Sequence, residues 1–176
     1  MLKRGYTQVY TGDGKGKTTA AMGLAFRAAG NKMNVYIVQF LKAWKTGELD
    51  SIDKIDNISL FRFQTIKKFT WDLNEEELIE YKRETREAYF FAKECVEQRK
   101  CDILILDEIM GAFHGGFITE EEIVYLIDNK SDNMELVLTG RNVPEKVFEK
   151  ADLVTEMKPL KHYMDKGVNA RLGIEF

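Results

Sequence analysis

The chain has 176 residues, with 26 lysines and arginines against 29 aspartates and glutamates and a formal net charge of −3 at pH 7. This length allows one domain with a substantial core, and the lack of basic excess argues against a nucleic-acid-binding protein. No stretch reaches the apolar length of a membrane span, the amino terminus carries no signal segment, and the two cysteines, Cys95 and Cys101, are too few for a zinc site. We therefore expect one domain over residues 1–176, a cytoplasmic location and two buried thiols.

Apolar, β-branched stretches alternate with helix-like stretches, a pattern typical of a parallel sheet covered by helices. The pattern predicts strands at 6–11, 33–40, 58–63, 102–107, 134–139 and 152–156, and a short last strand near 172–176. It predicts helices at 17–30, 75–99, 119–129 and 144–150. Two helices have capping pairs at their start, Asn74 with Glu77 and Thr119 with Glu122, and Gly30 is suited to end the first helix.

The first strand runs into a glycine-rich turn, and a helix follows at once. Residues 11–19 read Thr-Gly-Asp-Gly-Lys-Gly-Lys-Thr-Thr. The glycines let successive backbone N–H groups point at an anion, and the dipole of the following helix favours negative charge at the same place. Lys17 is placed to bridge phosphate oxygens, and the Thr18 hydroxyl suits a magnesium ion. The segment predicts a nucleotide phosphate site made of Gly12, Asp13, Gly14, Lys15, Gly16, Lys17, Thr18 and Thr19.

The entry of this loop departs from the general pattern G-x-x-x-x-G-K-[ST], which has its first glycine where this chain has Thr11. The Gly-Lys-Thr end is intact. A solvated glycine-rich turn is the alternative interpretation. The apolar strand before the loop and the small-residue helix face after it, with Ala21 and Ala25, favour the nucleotide site.

A second element that points to nucleotide chemistry is the segment 101–108, Cys-Asp-Ile-Leu-Ile-Leu-Asp-Glu. It is an apolar strand that ends in two carboxylates, and it resembles the Walker B strand, whose acid holds magnesium directly or through water. We expect Asp107 in that role. Glu108 is expected to bind the metal or the ribose, or to orient water. A solvent-facing turn is the alternative, but the glycine loop in the same chain favours a magnesium site formed by Thr18, Asp107 and Glu108.

Residues 129–132, Asn-Lys-Ser-Asp, match the N-K-x-D motif that reads guanine in GTPases. In those proteins the motif follows a buried strand. Here it follows a predicted helix and precedes a predicted strand, so a turn is the better interpretation.

With these elements in place, the chain resembles the corrinoid adenosyltransferase family of P-loop proteins over nearly its whole length. The matching segments are 11–21, 38–42, 47–48, 69–71, 106–108, 138–141, 151–157, 161–162, 167–168 and 173–175. The loop entry without glycine at position 11 is itself the family's form.

The resemblance implies a RecA-like α/β fold, a mostly parallel sheet with helices on both faces. It implies transfer of the 5′-deoxyadenosyl group of ATP to the Co(I) of a corrinoid, cobalamin or a precursor, with triphosphate leaving, in biosynthesis or salvage. The attacking cobalt carries no proton, so no general base is needed and His114 and His162 are expected to be structural. The departing triphosphate must be held and neutralised, so Lys17, Thr18 and Glu108 are the expected catalytic residues, with Mg²⁺ as the cofactor.

Phe69 and Trp71 match aromatic positions that, in the family, press on the corrinoid and help to displace its lower axial ligand, which makes Co(II) easier to reduce. The alternative for Phe69–Trp71 is a core strand whose side chains alternate inward and outward. Ala43 and Trp44 stand where the family tends to small residues, and the added bulk would either reshape the corrinoid mouth or fill a surface loop.

The resemblance also implies a flavoprotein reductant and a homodimer, although the amino-terminal helical extension of some relatives is not found here. Two other functions stay open at this point. One is a generic P-loop ATPase or small-molecule kinase, and the other is a non-catalytic carrier of adenosylcorrinoid.

Overall fold

The computed structural model describes residues 2–44 and 46–175. The strands are β1 (Thr7–Thr11), β2 (Val35–Gln39), β3 (Ile58–Arg62), β4 (Ile103–Asp107), β5 (Glu135–Thr139) and β6 (Leu153–Glu156). The α-helices are α1 (Lys17–Ala29), α2 (Gly47–Ile52), α3 (Glu75–Gln98), α4 (Ile109–His114), α5 (Glu120–Asn129) and α6 (Glu145–Lys150). Two 3₁₀ turns lie at Thr70–Asp72 and Tyr163–Lys166.

The six strands form one sheet in the order β3-β2-β4-β5-β1-β6, and every neighbouring pair is parallel. Successive residues of a strand point to opposite sides of the sheet. Both faces carry apolar side chains, and helices cover both. In β4, Ile103 and Ile105 pack into the core beside α1, whereas Leu104 and Leu106 pack into the larger core beside α3 and α5. All five residues of β4 are buried. The predicted α/β architecture is confirmed.

The parallel strands bring their carboxyl ends to one edge of the sheet, and this edge positions the candidate site. β5 lies between β1 and β4, with Leu138 opposite Val9 on one side and opposite Leu106 on the other. In β2, Gln39 lies opposite Asp107. The glycine loop after β1 and the polar ends of β2, β4 and β5 therefore face the same space.

Both predicted helix starts have the expected capping boxes. The Asn74 side chain accepts a hydrogen bond from the Glu77 N–H at 2.9 Å, and the Glu77 carboxylate accepts one from the Asn74 N–H at 3.0 Å. Thr119 and Glu122 make the same reciprocal pair before α5. Gly30 ends α1, as predicted.

Two expectations about elements were wrong or incomplete. Residues 172–175 form a turn rather than the predicted last strand, with the Glu175 N–H donating to the Arg171 carbonyl at 3.0 Å; residue 176 lies outside the described residues. The short helices α2 and α4 were not predicted. Residues 129–132 form the end of α5 and the turn that follows it, which agrees with the rejection of a guanine motif.

Cys95 and Cys101 are buried and free. Burial raises the pKa of the Cys95 thiol to about 11 and that of Cys101 to about 12. Both thiols are therefore protonated at neutral pH, as expected of structural cysteines. Among the helices of residues 2–44 and 46–175, none combines the length and apolar character that a membrane crossing requires.

Candidate active site

The loop between β1 and α1 shows why glycine stands at position 12 rather than 11. Thr11 is the last residue of β1, and its carbonyl accepts a hydrogen bond from the Met157 N–H at 2.8 Å. Gly12 and Gly16 have φ angles of 96° and 122°, which side-chain-bearing residues disfavour. A Cβ on Gly14 would lie 2.7 Å from the Met157 carbonyl oxygen. The glycines are thus required by the backbone turn and by the chain that follows β6.

The first turn of α1 is arranged to receive an anion. Gly16 precedes the helix and offers no side chain to cap its first N–H groups, and the first turn contains no acidic residue. Unpaired amides and the helix dipole favour negative charge there. This geometry supports the predicted phosphate site.

Lys17 lies inside the loop and is only 8% exposed. Its ammonium donates to the carbonyl oxygens of Gly12 at 2.6 Å and Gly14 at 3.0 Å. Burial lowers the pKa of Lys17, while the nearby charge of Glu108 acts in the opposite direction. The cation is therefore held at the loop by neutral acceptors, from which it can turn to phosphate oxygens.

Asp107 is fully buried and accepts hydrogen bonds on both carboxylate oxygens. Its Oδ1 accepts from the hydroxyls of Thr18 at 2.8 Å and Thr139 at 2.7 Å. Its Oδ2 accepts from the Gln39 amide at 3.0 Å and from the Lys42 ammonium at 2.5 Å. Two predicted metal ligands, Thr18 and Asp107, are thus brought into direct contact.

Glu108 immediately precedes α4 and has a left-handed backbone, φ 62° and ψ 26°, and its N–H donates to the Thr139 hydroxyl at 2.9 Å. Such a conformation is uncommon outside glycine and often marks functional sites. Within the part of the chain that the structure describes, its carboxylate accepts no hydrogen bond. Burial and the charge of Asp107 raise the pKa of Glu108. Its oxygens are therefore available to a ligand.

The donor set of this site fits a magnesium ion. Magnesium prefers oxygen ligands and is usually bound by one or two protein groups together with phosphate and water. Thr18 and Glu108 supply such oxygens. The Lys42 ammonium lies 3.4 Å from the Thr18 hydroxyl and 2.5 Å from Asp107 Oδ2, so the polar groups around Asp107 already stabilise one positive charge. Among the described residues, no group of three or more His, Cys, Asp or Glu side chains is arranged so that it could hold a metal ion by itself.

A cavity of about 780 Å³ opens beside the loop. Its walls include Lys17, Thr18 and Thr19 from α1, Glu108, and Arg141 from the segment after β5. Arg141 lies 3.6 Å from Asp13, and both side chains are exposed. The cavity is large enough for a nucleotide.

The carboxyl-terminal segment closes one side of this cavity. The Lys15 ammonium contacts the Glu175 carboxylate at 2.6 Å, the Ile174 carbonyl at 3.0 Å and the Tyr163 hydroxyl at 3.1 Å. In this arrangement the Lys15 side chain holds the end of the chain rather than the interior of the loop. Among the described residues, the hydrogen bonds of the two histidine side chains are to backbone: His114 Nε2 to the Asn142 carbonyl at 2.7 Å, and His162 Nδ1 from the Met164 N–H at 3.1 Å.

Phe69 and Trp71 form an exposed aromatic cluster together with Trp44. The rings of Phe69 and Trp71 stack with centroids 4.6 Å apart and an interplanar angle of 6°, and the Trp44 ring lies 5.0 Å from Phe69. The exposed fractions are 52% for Phe69, 76% for Trp71 and 40% for Trp44. The core-strand interpretation of Phe69–Trp71 is therefore wrong, and Trp44 adds a third ring to the same surface.

The fold and the site define a RecA-like P-loop protein. Solved structures with this fold are the KaiC-like protein PH0186 from Pyrococcus horikoshii OT3, with a TM-score of 0.51 and 15% identity, and the flagellar accessory protein FlaH from Methanocaldococcus jannaschii, with a TM-score of 0.52 and 15% identity. The first covers 88% of this chain and 74% of its own, and the second covers 88% and 72%. At this identity the likeness establishes the fold alone.

Residues 3–176 match the family model described as ATP:corrinoid adenosyltransferase BtuR/CobO/CobP, and the chain belongs to this family. It is 35% identical over 176 residues to the corrinoid adenosyltransferase of Escherichia coli (strain K12), covering 99% of this chain and 87% of the relative. It is 37% identical over 177 residues to that of Sinorhizobium sp, covering 99% and 81%. The predicted family is confirmed, and the chain is a transferase of this family.

Four polar residues of the site carry no motif in the sequence that predicts a role for them. They are Gln39, Lys42, Thr139 and Arg141, all contributed by the carboxyl ends of β2 and β5 or by the residues that follow. The available signal was their position: each ends or follows a buried apolar strand and lies within a segment that carries the family resemblance.

Proposed function

We propose that this protein transfers the 5′-deoxyadenosyl group of ATP to the Co(I) of a corrinoid and releases triphosphate. The observation that supports this most directly is the combination of the Lys17 loop, the uncapped start of α1 and the Asp107–Glu108 pair at one edge of the sheet, in a member of this family. The N–H groups and the Lys17 ammonium at that edge can bind a polyphosphate, which is the leaving group of the reaction.

In the transfer step, the cobalt electron pair attacks the ribose 5′ carbon, a Co–C bond forms, and the C–O bond to triphosphate breaks. The protein has no proton to remove, so its task is to hold and neutralise the departing anion. The loop amides and the first turn of α1 would bind the polyphosphate, and the Lys17 ammonium would exchange its carbonyl acceptors for phosphate oxygens.

The Thr18 hydroxyl and the Glu108 carboxylate are the residues that would hold Mg²⁺, with Asp107 orienting Thr18 through its Oδ1. When bound, the ion adds positive charge beside the triphosphate. The Lys42 ammonium neutralises Asp107 at its other carboxylate oxygen, Oδ2. Arg141, on the wall of the cavity, is placed to contact phosphate oxygens as well.

The corrinoid is proposed to lie against Phe69 and Trp71. A broad, flat macrocycle matches a stacked, exposed aromatic surface, which would otherwise be costly to leave in water. The flavoprotein electron donor and the homodimer implied by the family resemblance are part of this proposal.

The decisive experiment follows both products. The protein is incubated without oxygen with MgATP and a corrinoid chemically reduced to Co(I), and triphosphate and adenosylcorrinoid are quantified. We expect equal amounts of the two products over many turnovers. Release of ADP with the corrinoid unchanged would indicate an ATPase or kinase, and product limited to one equivalent per protein would indicate a carrier.

A further inference from the structure

Arg62, the last residue of β3, holds the loop that follows β2, which carries Lys42, Trp44 and Thr46 and leads into α2. The Arg62 side chain is 13% exposed. Each of its three guanidinium nitrogens donates to a different acceptor, in Gln39, Trp44 and Thr46. Nη1 donates to the Trp44 carbonyl at 2.6 Å, and Nη2 donates to the Thr46 hydroxyl at 2.8 Å. Nη2 also lies 3.8 Å from the Glu48 carboxylate. One guanidinium thus ties together the beginning and the end of the loop.

The same guanidinium is fixed to the nucleotide side of the site. Arg62 Nε donates to Gln39 Oε1 at 2.6 Å, and the Gln39 amide donates to Asp107 Oδ2 at 3.0 Å. Gln39 and Asp107 are both fully buried. A continuous hydrogen-bonded path therefore leads from the Walker B carboxylate to the backbone of Trp44.

The loop that Arg62 holds carries parts of two surfaces. Lys42 precedes Trp44, Thr46 and Glu48 follow it, and these three flanking residues line the cavity beside the glycine loop. The Trp44 ring itself packs on Phe69, 5.0 Å between centroids. The position of this loop consequently sets how the aromatic cluster lies relative to the nucleotide cavity.

We propose that Arg62 is a positioning residue that holds Trp44 in the aromatic cluster, so that Trp44 becomes a third ring of the corrinoid-binding surface. This inference rests on the proposed function for the identity of the ligand. Burial lowers the pKa of Arg62, partly offset by the charges of Glu48 and Asp107, in keeping with a guanidinium enclosed by its acceptors. A lysine at this position would keep the charge but could not reach three separate acceptors in one plane.

The test uses Arg62→Lys, with Arg83→Lys as the matched control. Arg83 also contacts two carboxylates, those of Glu80 and Glu87, but on the surface of α3, where its side chain is 53% exposed. The chain has only two tryptophans, Trp44 and Trp71. In a Trp71→Phe background, the fluorescence of Trp44 therefore reports on the loop without any added ligand.

We expect Arg62→Lys to raise acrylamide quenching of Trp44 at least about twofold, because the ring is no longer held in the cluster. In the chain with both tryptophans, the same change should weaken binding of cob(II)alamin about tenfold, the effect of losing one or two charged hydrogen bonds. Binding of MgATP should change less than about twofold, because Gln39 still donates to Asp107. Arg83→Lys should change none of these values.

Unchanged quenching together with unchanged cob(II)alamin binding would overturn the inference, and so would an equal loss of MgATP and cob(II)alamin affinity, which indicates general loosening. If Arg62→Lys does not fold, Thr46→Val, which removes one acceptor, must shift quenching and cob(II)alamin affinity in the same direction. A wild-type protein that makes no adenosylcorrinoid would contradict the proposed function instead, while the quenching experiment would still decide whether Arg62 holds Trp44.

Discussion

At the scale of single residues, the two neighbouring carboxylates differ because their surroundings differ. Burial alone would raise the pKa of Asp107, but the Lys42 charge and the hydrogen bonds from Lys42, Thr139 and Thr18 more than offset it, so the pKa is lowered. Among the described residues, none donates a hydrogen bond to the Glu108 carboxylate, and burial and the charge of Asp107 raise its pKa. Asp107 is therefore suited to organise the site, and Glu108 to receive a ligand.

This difference predicts opposite effects on stability for two isosteric substitutions in the ligand-free protein at pH 7. Asp107→Asn should lower the free energy of unfolding by about 3 kcal/mol, because it leaves the Lys42 ammonium without its buried partner. Glu108→Gln should raise it by about 1 kcal/mol, because an ionised carboxylate disfavoured by burial is removed. Urea unfolding measures both.

The two variants should also separate in magnesium dependence. If Glu108 is the direct ligand, Glu108→Gln needs a higher magnesium concentration for half-maximal activity despite its greater stability. A loss of stability in both variants, of similar size, would contradict the division between the two carboxylates.

Lys17 gives the sharpest test of the phosphate site. Lys17→Ala should lower kcat/KM by a factor of about 100 or more, on the order of 3 kcal/mol, because charge on the departing triphosphate is left uncompensated. Stabilisation by MgATP, which amounts to about 2.7 kcal/mol at a hundredfold excess over Kd, should fall in parallel. Lys54→Ala, at an exposed position of the loop between α2 and β3, serves as the control. A near-normal rate in Lys17→Ala would show that the leaving group is held elsewhere.

At the scale of elements, the exposed turn that carries Phe69 and Trp71 allows function to be separated from folding. Trp71 is 76% exposed, so Trp71→Ala should change the free energy of unfolding by less than about 0.5 kcal/mol. With Co(I) generated chemically, the rate should stay within about twofold of wild type. When a flavoprotein must reduce the bound Co(II), we expect a loss of about tenfold or more if, as the family resemblance implies, the ring helps to displace the axial ligand.

The comparison of the two rates in Trp71→Ala is its own control, since the protein and the nucleotide are the same in both assays. Equal losses in both would show that Trp71 supports the turn rather than the reduction step.

The long elements were predictable because several residues in each follow the same pattern, an apolar run in a strand or an apolar stripe after a capping pair in a helix. The five apolar residues of β4 and the capped helices α3 and α5 are examples. The helices α2 and α4 have six residues each, too few to show a helical period, whereas α6, equally short, was predicted at 144–150. Leu172 and Ile174 alternate with other residues as in a strand, but the segment folds back as a turn held by Lys15, a contact distant in sequence.

The candidate site was predictable where the glycine loop and the acidic strand carried local motifs. Gln39, Thr139 and Arg62 gave no such signal, because each acts on a side chain from another strand. Their contacts depend on β2 and β5 being the neighbours of β4 and on β3 being the neighbour of β2, which follows from strand order rather than from spacing along the chain.

At the scale of the whole molecule, the carboxyl-terminal part of the chain contacts the phosphate loop. The Gly14 N–H donates to the Met157 carbonyl at 2.7 Å, and Lys15 pairs with Glu175. The loop after β1 is therefore supported from the segment after β6, an arrangement made possible because β6 lies beside β1 at the edge of the sheet. Local changes in the carboxyl-terminal segment are consequently expected to reach the nucleotide site.

The lowered pKa of Asp107 also predicts how the stability of the whole molecule changes in acid. The usual value for this group is 3.8, and the folded protein holds it lower, so near and below that pH the unfolded chain binds a proton that the folded chain does not. The stability contributed by Asp107 is thus present above about pH 4 and is lost as pH falls through the folded value. In urea unfolding between about pH 5 and pH 3, Asp107→Asn should show a shallower decrease, by up to ~1.4 kcal/mol per pH unit. Parallel curves for the two proteins would mean that Asp107 is not the buried anion that organises this site.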